Sequence, residues 1–478
     1  MKRWIAWLLC LLLCCGTLPV FAANEDQISR ISCSMYRDGA TGRGFCWFTE
    51  QDGGSDLLLQ KEGENTADAK HYSGTCRAYR KRYSHQVAVT DLEPGTAYRY
   101  RVGDAQKELW SDWCTFQTDD KDDSFSFIAI ADVQAGTMEK FLKAAKTLRE
   151  AERTLPDSDF TVNLGDYVND NTNGEWDDYF EAFSFNNETQ TGVPVAGNHD
   201  GNFTNKFNTN CFKNMFCLDQ SVNRSLEGVY YSFDYGNAHF TVLNTNDMYP
   251  MSQAQKNWLV NDVTTSSAMW NILLMHRSFY SAGKNINKPD TVILRNMLLP
   301  LIDRLGIDLV LSGHDHMYLR TAPVKGEKRV ENLTCITEPF RGENVTFTLN
   351  PQGTVYAMPS TAGTKRYSVN QNAISPILSA ADKAFSTKEL GGCFATVEID
   401  GGRLVYRAYT VDDETGARTL ADTCALAKDS ATPRKATALD QSLLSTIAAW
   451  PGNLTVGLCG MFVSYLKLLV QVIAQAVR

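Results

Sequence analysis

Five apolar, strand-length runs in the middle of this chain each finish on side chains able to hold a metal ion or move a proton. "IAIADVQ" carries Asp132, "NLGDYV" Asp166, "AGNHD" Asn198 and His199, "LLMHRS" His276, and "SGHDHMY" His314 and His316. Patterns of helical period fall between several of them, over residues 138–153, 253–263 and 292–305. Apolar strands alternating with helices predict a layered α/β domain built on a sheet. In such sheets, sites gather in the crevice beyond the carboxyl ends of the strands. The five run ends are therefore expected to converge. Taken singly, each has a plainer reading: Asp132 and Asp166 as helix caps or turn formers, Asn198 as a turn residue, His276 as a core histidine. Those readings leave unexplained why four of the seven histidines sit at strand ends beside Gly, Asp or Asn.

Ahead of this region the pattern changes. Residues 27–118 read as short alternating strands with turn signals, as in "GRGFCWFTE" and "HQVAVTDLEPGTAYRYRVGD". They predict an antiparallel β-sandwich. The second stretch resembles a fibronectin type III module at Leu92, Pro94, Gly95, Thr96 and Tyr98. The sandwich is expected to act as a spacer beside the mouth of the site. "TDDKDD" at 118–123 reads as a polar linker, placing the α/β domain over 124–420. "TVYAMPST" and "CFATVEIDGGRLVYRAYTVD" should add strands to that domain, followed by a polar loop over 421–437 and a helical tail over 438–478.

The first 22 residues read as a secretory signal peptide, with Lys2 and Arg3, an apolar stretch, and a small-residue cleavage pattern ending at Ala22. A secreted or extracytoplasmic protein follows. Of the thirteen cysteines, the ten outside this segment fall in even groups, which in an exported chain predicts disulfides, Cys211 with Cys217 being the simplest pair. The net charge of −9 argues against nucleic-acid binding. An anionic substrate would need positive charge concentrated locally, for instance in metal ions. Residues 454–477 hold a single charge, Lys467, and are long enough to span a bilayer. Gly457, Gly460, Ser464, Lys467, Gln471 and Gln475 share one helical face, however. That face favours an amphipathic helix packed on the protein's own body or lying on a membrane surface.

Taken in order, Asp132-Val133-Gln134, Gly165-Asp166, Gly197-Asn198-His199-Asp200, His276 and Gly313-His314-Asp315-His316 resemble the signature of the calcineurin-like metallophosphoesterase superfamily. The sandwich ahead of them, with "GVYYSFDYGNAHFTVLNTN", "QAQKNWLVNDV" and "HMYLR", is similar to the purple acid phosphatase branch. The resemblance implies an α-β-β-α sandwich and two metal ions, drawn from Fe, Zn or Mn and bridged by a carboxylate. It implies Asp166 as the bridge, Asp132 and His316 on the first metal, and Asn198, His276 and His314 on the second. It further implies a phosphatase or phosphodiesterase acting on a small phosphorylated substrate. The attacking group would be a metal-bridging hydroxide, with His199 as general acid and stabiliser of phosphoryl charge. The residue types suit this chemistry, since carboxylates bridge hard ions and imidazoles bind first-row metals.

Two positions depart from the pattern. Gln134 stands where the simple phosphoesterase pattern has a histidine; it could donate its amide oxygen or orient a bound water. Asn169 stands where the purple branch has a tyrosine, and Tyr167 points to the other side of an extended segment. No tyrosinate–iron chromophore is expected. Loops at 169–176 and 202–226 are expected to select among monoester, diester and nucleotide substrates. Two other readings are a surface protein in which a degenerate site has left a binding module, and a metal-dependent hydrolase of another bond. His199 beside Asn198 favours a phosphoesterase over a binding module.

Overall fold

The computed structural model describes residues 27–201, 210–219, 229–246, 251–370 and 381–429. The signal-peptide and C-terminal helix expectations lie outside these residues. Among the described residues no helix is long and apolar enough to cross a membrane.

Two sheets stack because their strands are apolar on both faces. In the first, Ser124–Ile130 pairs in parallel with Phe160–Asn163, which pairs in parallel with Thr191–Pro194. On its other side lie the antiparallel strands Gly392–Asp400, Arg403–Val411 and Arg418–Ala427. The second sheet runs Ala238–Leu243, Trp270–Arg277, Leu309–Gly313 and Val355–Pro359 in parallel. Its residues divide by period two. Ile272, Leu274 and Leu311 pack with Phe127 and Phe160 of the first sheet in one core. Leu273, Met275 and Val310 face Leu259, Leu298 and Ile302 of the helices Gln253–Thr265 and Pro289–Leu305 in another. Helix Met138–Thr154 buries Phe141, Ala144 and Leu148 against the first sheet. The order is helix, sheet, sheet, helix.

The N-terminal sandwich is not a separate bead. Its strand Ser29–Met35 pairs in parallel with Thr191–Pro194 at Ser34 and Gly192, so one of its layers continues the central sheet into a run of 12 strands. The other layer holds Asp56–Lys61 and Ala97–Asp104, and Phe45, Trp47, Tyr100 and Phe116 fill the space between. The buried Arg43 guanidinium ties the junction, donating to Thr191 Oγ1 (3.0 Å), Gly39 O (2.8 Å) and Gln117 O (2.7 Å).

Four sequence expectations are corrected. "TDDKDD" is not a free linker at its start: Thr118 and Asp119 are buried, and the Asp119 carboxylate accepts from the Gly236 N–H at 2.9 Å. Residues 421–427 belong to a strand rather than a polar loop. Pairing with Arg403–Val411 overrides their weak β-propensity, and the buried Lys428 beyond them bonds Asp308 at 2.6 Å. The segment 169–176 is largely the start of helix Asn173–Ala182, closed by a reciprocal Thr172/Glu175 capping box. Finally, the nine cysteines among the described residues are all unpaired. Most are buried and act as small hydrophobes with weak S–H donors. Cys211 and Cys217 face different neighbours, the carbonyl of Asp200 and the carbonyl of Val87 respectively.

Candidate metal centre

The carboxyl ends of strands from both sheets meet at one cleft of about 460 Å³. Asp132 follows Ser124–Ile130, Asp166 follows Phe160–Asn163, and Asn198 and His199 follow Thr191–Pro194. His276 is the penultimate residue of Trp270–Arg277, while His314 and His316 follow Leu309–Gly313. The structure thus brings together Asp132, Asp166, Asn198, His199, His276, His314 and His316. Ligand atoms of Asp166, His276 and His314 cluster within 4.8 Å of one another, as do those of Asp132, Asp166 and His316. Asp166 is common to both clusters.

The turns carrying these groups lean on each other's backbones. The Asp132 N–H donates to Gly165 O (3.0 Å) and the Gln134 N–H to Asp166 O (2.8 Å). The His314 N–H donates to both Asp132 oxygens (3.0 and 2.9 Å), and the His199 N–H to Asp166 Oδ1 (2.7 Å). Glycine is needed at Gly165 and Gly197. Gly165 has φ +97°, and a Cβ at Gly197 would lie 2.1 Å from the Asp166 nitrogen. Asp315 turns away from the cluster and accepts from the Ser281 hydroxyl and the Asn285 N–H.

Histidine orientation follows from what each ring nitrogen meets. His276 Nδ1–H donates to Leu164 O (2.9 Å), because a carbonyl only accepts. Its Nε2 then faces Asp166 Oδ1 (3.3 Å) and Asn198 Oδ1 (3.2 Å), with His314 Nδ1 3.3 Å away. His316 Nδ1–H donates to Lys365 O, which turns Nε2 to Asp132 Oδ1 at 3.3 Å. Burial lowers the pKa of His276, but the Asp166 carboxylate outweighs it and raises the value to about 9. Burial also works against the Asp166 charge, yet His276 and His199 hold its pKa well below the usual carboxylate range. His314, buried beside Arg277 and His276, is pushed well below the ordinary imidazole value.

The donor set fits metal ions. Ligands about 2.1 Å from a tetrahedral centre lie about 3.4 Å from one another, close to the spacing around His276 Nε2. The buried His314 Nε2 has no hydrogen-bond partner in the protein, and neither do Gln134 Nε2 and Oε1. Gln134 lines the cleft with its amide unsatisfied. Asn169 does not join the cluster: its amide donates to Asp170 Oδ2 (2.8 Å), and its carbonyl accepts from His199 Nδ1 (2.5 Å). Tyr167 packs instead among Trp176, Tyr179 and Phe216.

Sequence reasoning missed two contributors. Asp200 is fully buried and its carboxylate accepts from the N–H groups of Asp166 (2.9 Å), Tyr167 (2.8 Å) and Gly197 (2.8 Å). Burial and the nearby Asp166 charge push its pKa up. A cationic wall made by Arg277, Lys284, Lys288 and Lys365 was also missed. Arg277, next to His276, was open to view; the lysines lie in loops without periodicity.

A family model described as calcineurin-like phosphoesterase matches residues 125–318, and one described as purple acid phosphatase N-terminal domain matches residues 29–118. The chain therefore carries a calcineurin-like phosphoesterase domain, and its N-terminal module is matched as that of purple acid phosphatases rather than as fibronectin type III. An uncharacterised protein of Mycobacterium tuberculosis is 26% identical over 208 residues, 40% of this chain and 39% of its own length. Purple acid phosphatase 21 of Arabidopsis thaliana is 26% identical over 256 residues, 51% of this chain and 54% of its own. Purple acid phosphatase 1 of Ipomoea batatas is 23% identical over 338 residues, 66% and 70% respectively. The chain thus spans less than two thirds of the first two relatives. The yellow lupin purple acid phosphatase structure superposes with TM-score 0.69 at 15% identity, covering 86% of this chain and 76% of that one. A PhoD structure gives TM-score 0.60 at 14%, covering 86% and 92%. At these identities the structural likeness is one of fold. The chain thus joins a purple acid phosphatase N-terminal domain to a calcineurin-like phosphoesterase domain, and it is similar to purple acid phosphatases across both.

Proposed function

We propose that this protein hydrolyses phosphate esters at a two-metal centre and is exported to do so. The observation that carries the proposal is the pair of ligand clusters sharing Asp166, with His199 at their edge. Asp132, Asp166 and His316 would hold one ion; Asp166, Asn198, His276 and His314 would hold the other. Fe, Zn and Mn all suit carboxylate and imidazole donors. When bound, such ions activate water near neutral pH and offset charge on the phosphoryl oxygens.

The remaining work falls to the chain's own groups. The Asn169 carbonyl takes the Nδ1–H of His199, so Nε2 is the atom that gives or takes a proton. As an imidazolium, His199 would donate from Nε2 to the leaving-group oxygen. Asp200 holds the two loops that present Asp166 and Asn198. Gln134, with a buried and unsatisfied amide, would contact a phosphoryl oxygen or a water in the cleft. A degenerate binding module is not favoured, because nothing in such a role calls for His199 beside a complete ligand set.

The test is metal analysis of the purified protein together with hydrolysis of a chromogenic phosphomonoester and diester. Chelators should abolish turnover. His199→Ala should lower kcat by roughly 10²–10³ while leaving metal content unchanged. Absence of bound metal, or a His199→Ala enzyme as fast as the parent, would overturn the proposal.

A further inference from the structure

One wall of the cleft carries more positive charge than a single phosphoryl group requires. Arg277 follows His276 directly; its guanidinium bonds Asp290 and Asn246 Oδ1 (3.3 Å), and its buried Nε has no partner. Lys284 Nζ sits 4.0 Å from the centre of the Tyr367 ring, and Tyr367 stacks on His316 at 4.5 Å. Lys288 immediately precedes helix Pro289–Leu305, and Lys365 lends its carbonyl to His316. Lys284, Lys288 and Lys365 all line the same cleft. Apart from the ligand Asp166, Asp290 is the one carboxylate among the residues that line it. Gln134 and Asn198, which also line it, are uncharged. This excess of cations stands in a chain of net charge −9. The cleft, at about 460 Å³, is within the range that encloses a drug-sized ligand and is far larger than a bare phosphate.

We propose that the substrate carries a second anionic group, a phosphate or a carboxylate, which docks on Lys284, Lys288 and Lys365 while the scissile phosphate occupies the metal centre. The inference rests on the metal-centre reading above. Exposed lysines attract such a group with modest, salt-sensitive energy, and two of them together account for about a tenfold preference.

The experiment is calorimetric titration of the purified, metal-containing protein with three non-hydrolysable probes: propylphosphonate, phosphonopropionate and propylenediphosphonate. The same titrations are run on a Lys284→Ala/Lys288→Ala double variant, whose substitutions are at exposed positions. The wild type should bind at least one two-anion probe about tenfold more tightly than propylphosphonate, and the double variant should lose most of that preference. A gain with both two-anion probes admits carboxylates; a gain with the diphosphonate alone identifies a second phosphate. No preference in the wild type, or one that survives in the double variant, overturns the proposal. Because binding is read without turnover, a protein that hydrolyses no ester but keeps the preference refutes the phosphoesterase reading alone. One that hydrolyses esters without the preference refutes the docking wall alone.

Discussion

Replacing Asp200 should destabilise the protein although Asp200 is no ligand. Its Oδ2 accepts the N–H groups of Asp166 (2.9 Å) and Gly197 (2.8 Å), and its Oδ1 that of Tyr167 (2.8 Å). In Asp200→Ala all three buried donors lose their acceptor, each at about 1–3 kcal/mol. Water entering from the cleft offsets part of this, so the expected loss is about 3–5 kcal/mol. Asp200→Asn keeps one oxygen. Placed at the Oδ2 position, it retains the bonds from Asp166 and Gly197 but turns its amide N–H groups toward that of Tyr167. The expected loss is then smaller, about 1–2 kcal/mol. The assay is urea unfolding of metal-stripped protein followed by intrinsic fluorescence, since bound metal would add its own stabilisation. A loss for Asp200→Ala within about 0.5 kcal/mol of zero, or equal losses for both variants, would refute the reasoning.

Gly197→Ala should abolish metal uptake with the fold retained, because its Cβ would lie 2.1 Å from the Asp166 nitrogen and 2.3 Å from Oδ1. Metal content and far-UV circular dichroism of the purified variant check this. His239 should make stability fall in mild alkali. Its ring nitrogens bond Asp234 (2.7 Å) and Asp262 (3.0 Å), and although burial lowers its pKa, these carboxylates raise it to about 9. A histidine whose folded value exceeds the unfolded one contributes stability that is complete below about pH 6.5 and disappears as pH rises through about 9. The contribution is about 2 kcal/mol, discounted because Asp234 is largely exposed. Urea midpoints between these limits should drop in the wild type and stay flat in His239→Gln; parallel profiles would count against the assignment.

The layered α/β core was legible because its strands and helices keep strict periods. The helical period over 292–305 predicts helix Pro289–Leu305, which the structure shows delimited by the proline at its start and by Gly306 in the left-handed region at its end. Elements stabilised by distant partners were not legible. Arg418–Ala427 is a strand because Arg403–Val411 lies beside it, and no local pattern records that. The continuity of the N-terminal layer with the central sheet rests on a single parallel pairing, Ser34 with Gly192, between segments far apart in sequence. The capping box at Thr172 and Glu175 was visible and went unread. The cysteine groups misled because even counts carry no geometry, whereas burial of Cys33, Cys46, Cys211 and Cys393 satisfies those side chains without bridges.

At the site, residue types were legible and conformations were not. Asp132, Gln134, Asp166, His314 and His316 have φ of 52°, 34°, 57°, 79° and 27°, a left-handed region that costs residues with a Cβ about 1–3 kcal/mol each. Such turns persist only when surrounding bonds over-determine them. Here the bonds come from the candidate ligands themselves: the Asp132 carboxylate takes the His314 N–H on both oxygens, and Asp166 takes that of His199. A carboxylate that staples one loop to another, and that would also hold a metal ion, has two reasons to be an aspartate. The first reason leaves a spacing in the sequence, and the second leaves a residue type. The lysines have neither, since Lys284, Lys288 and Lys365 come to line one cleft from two loops far apart in sequence.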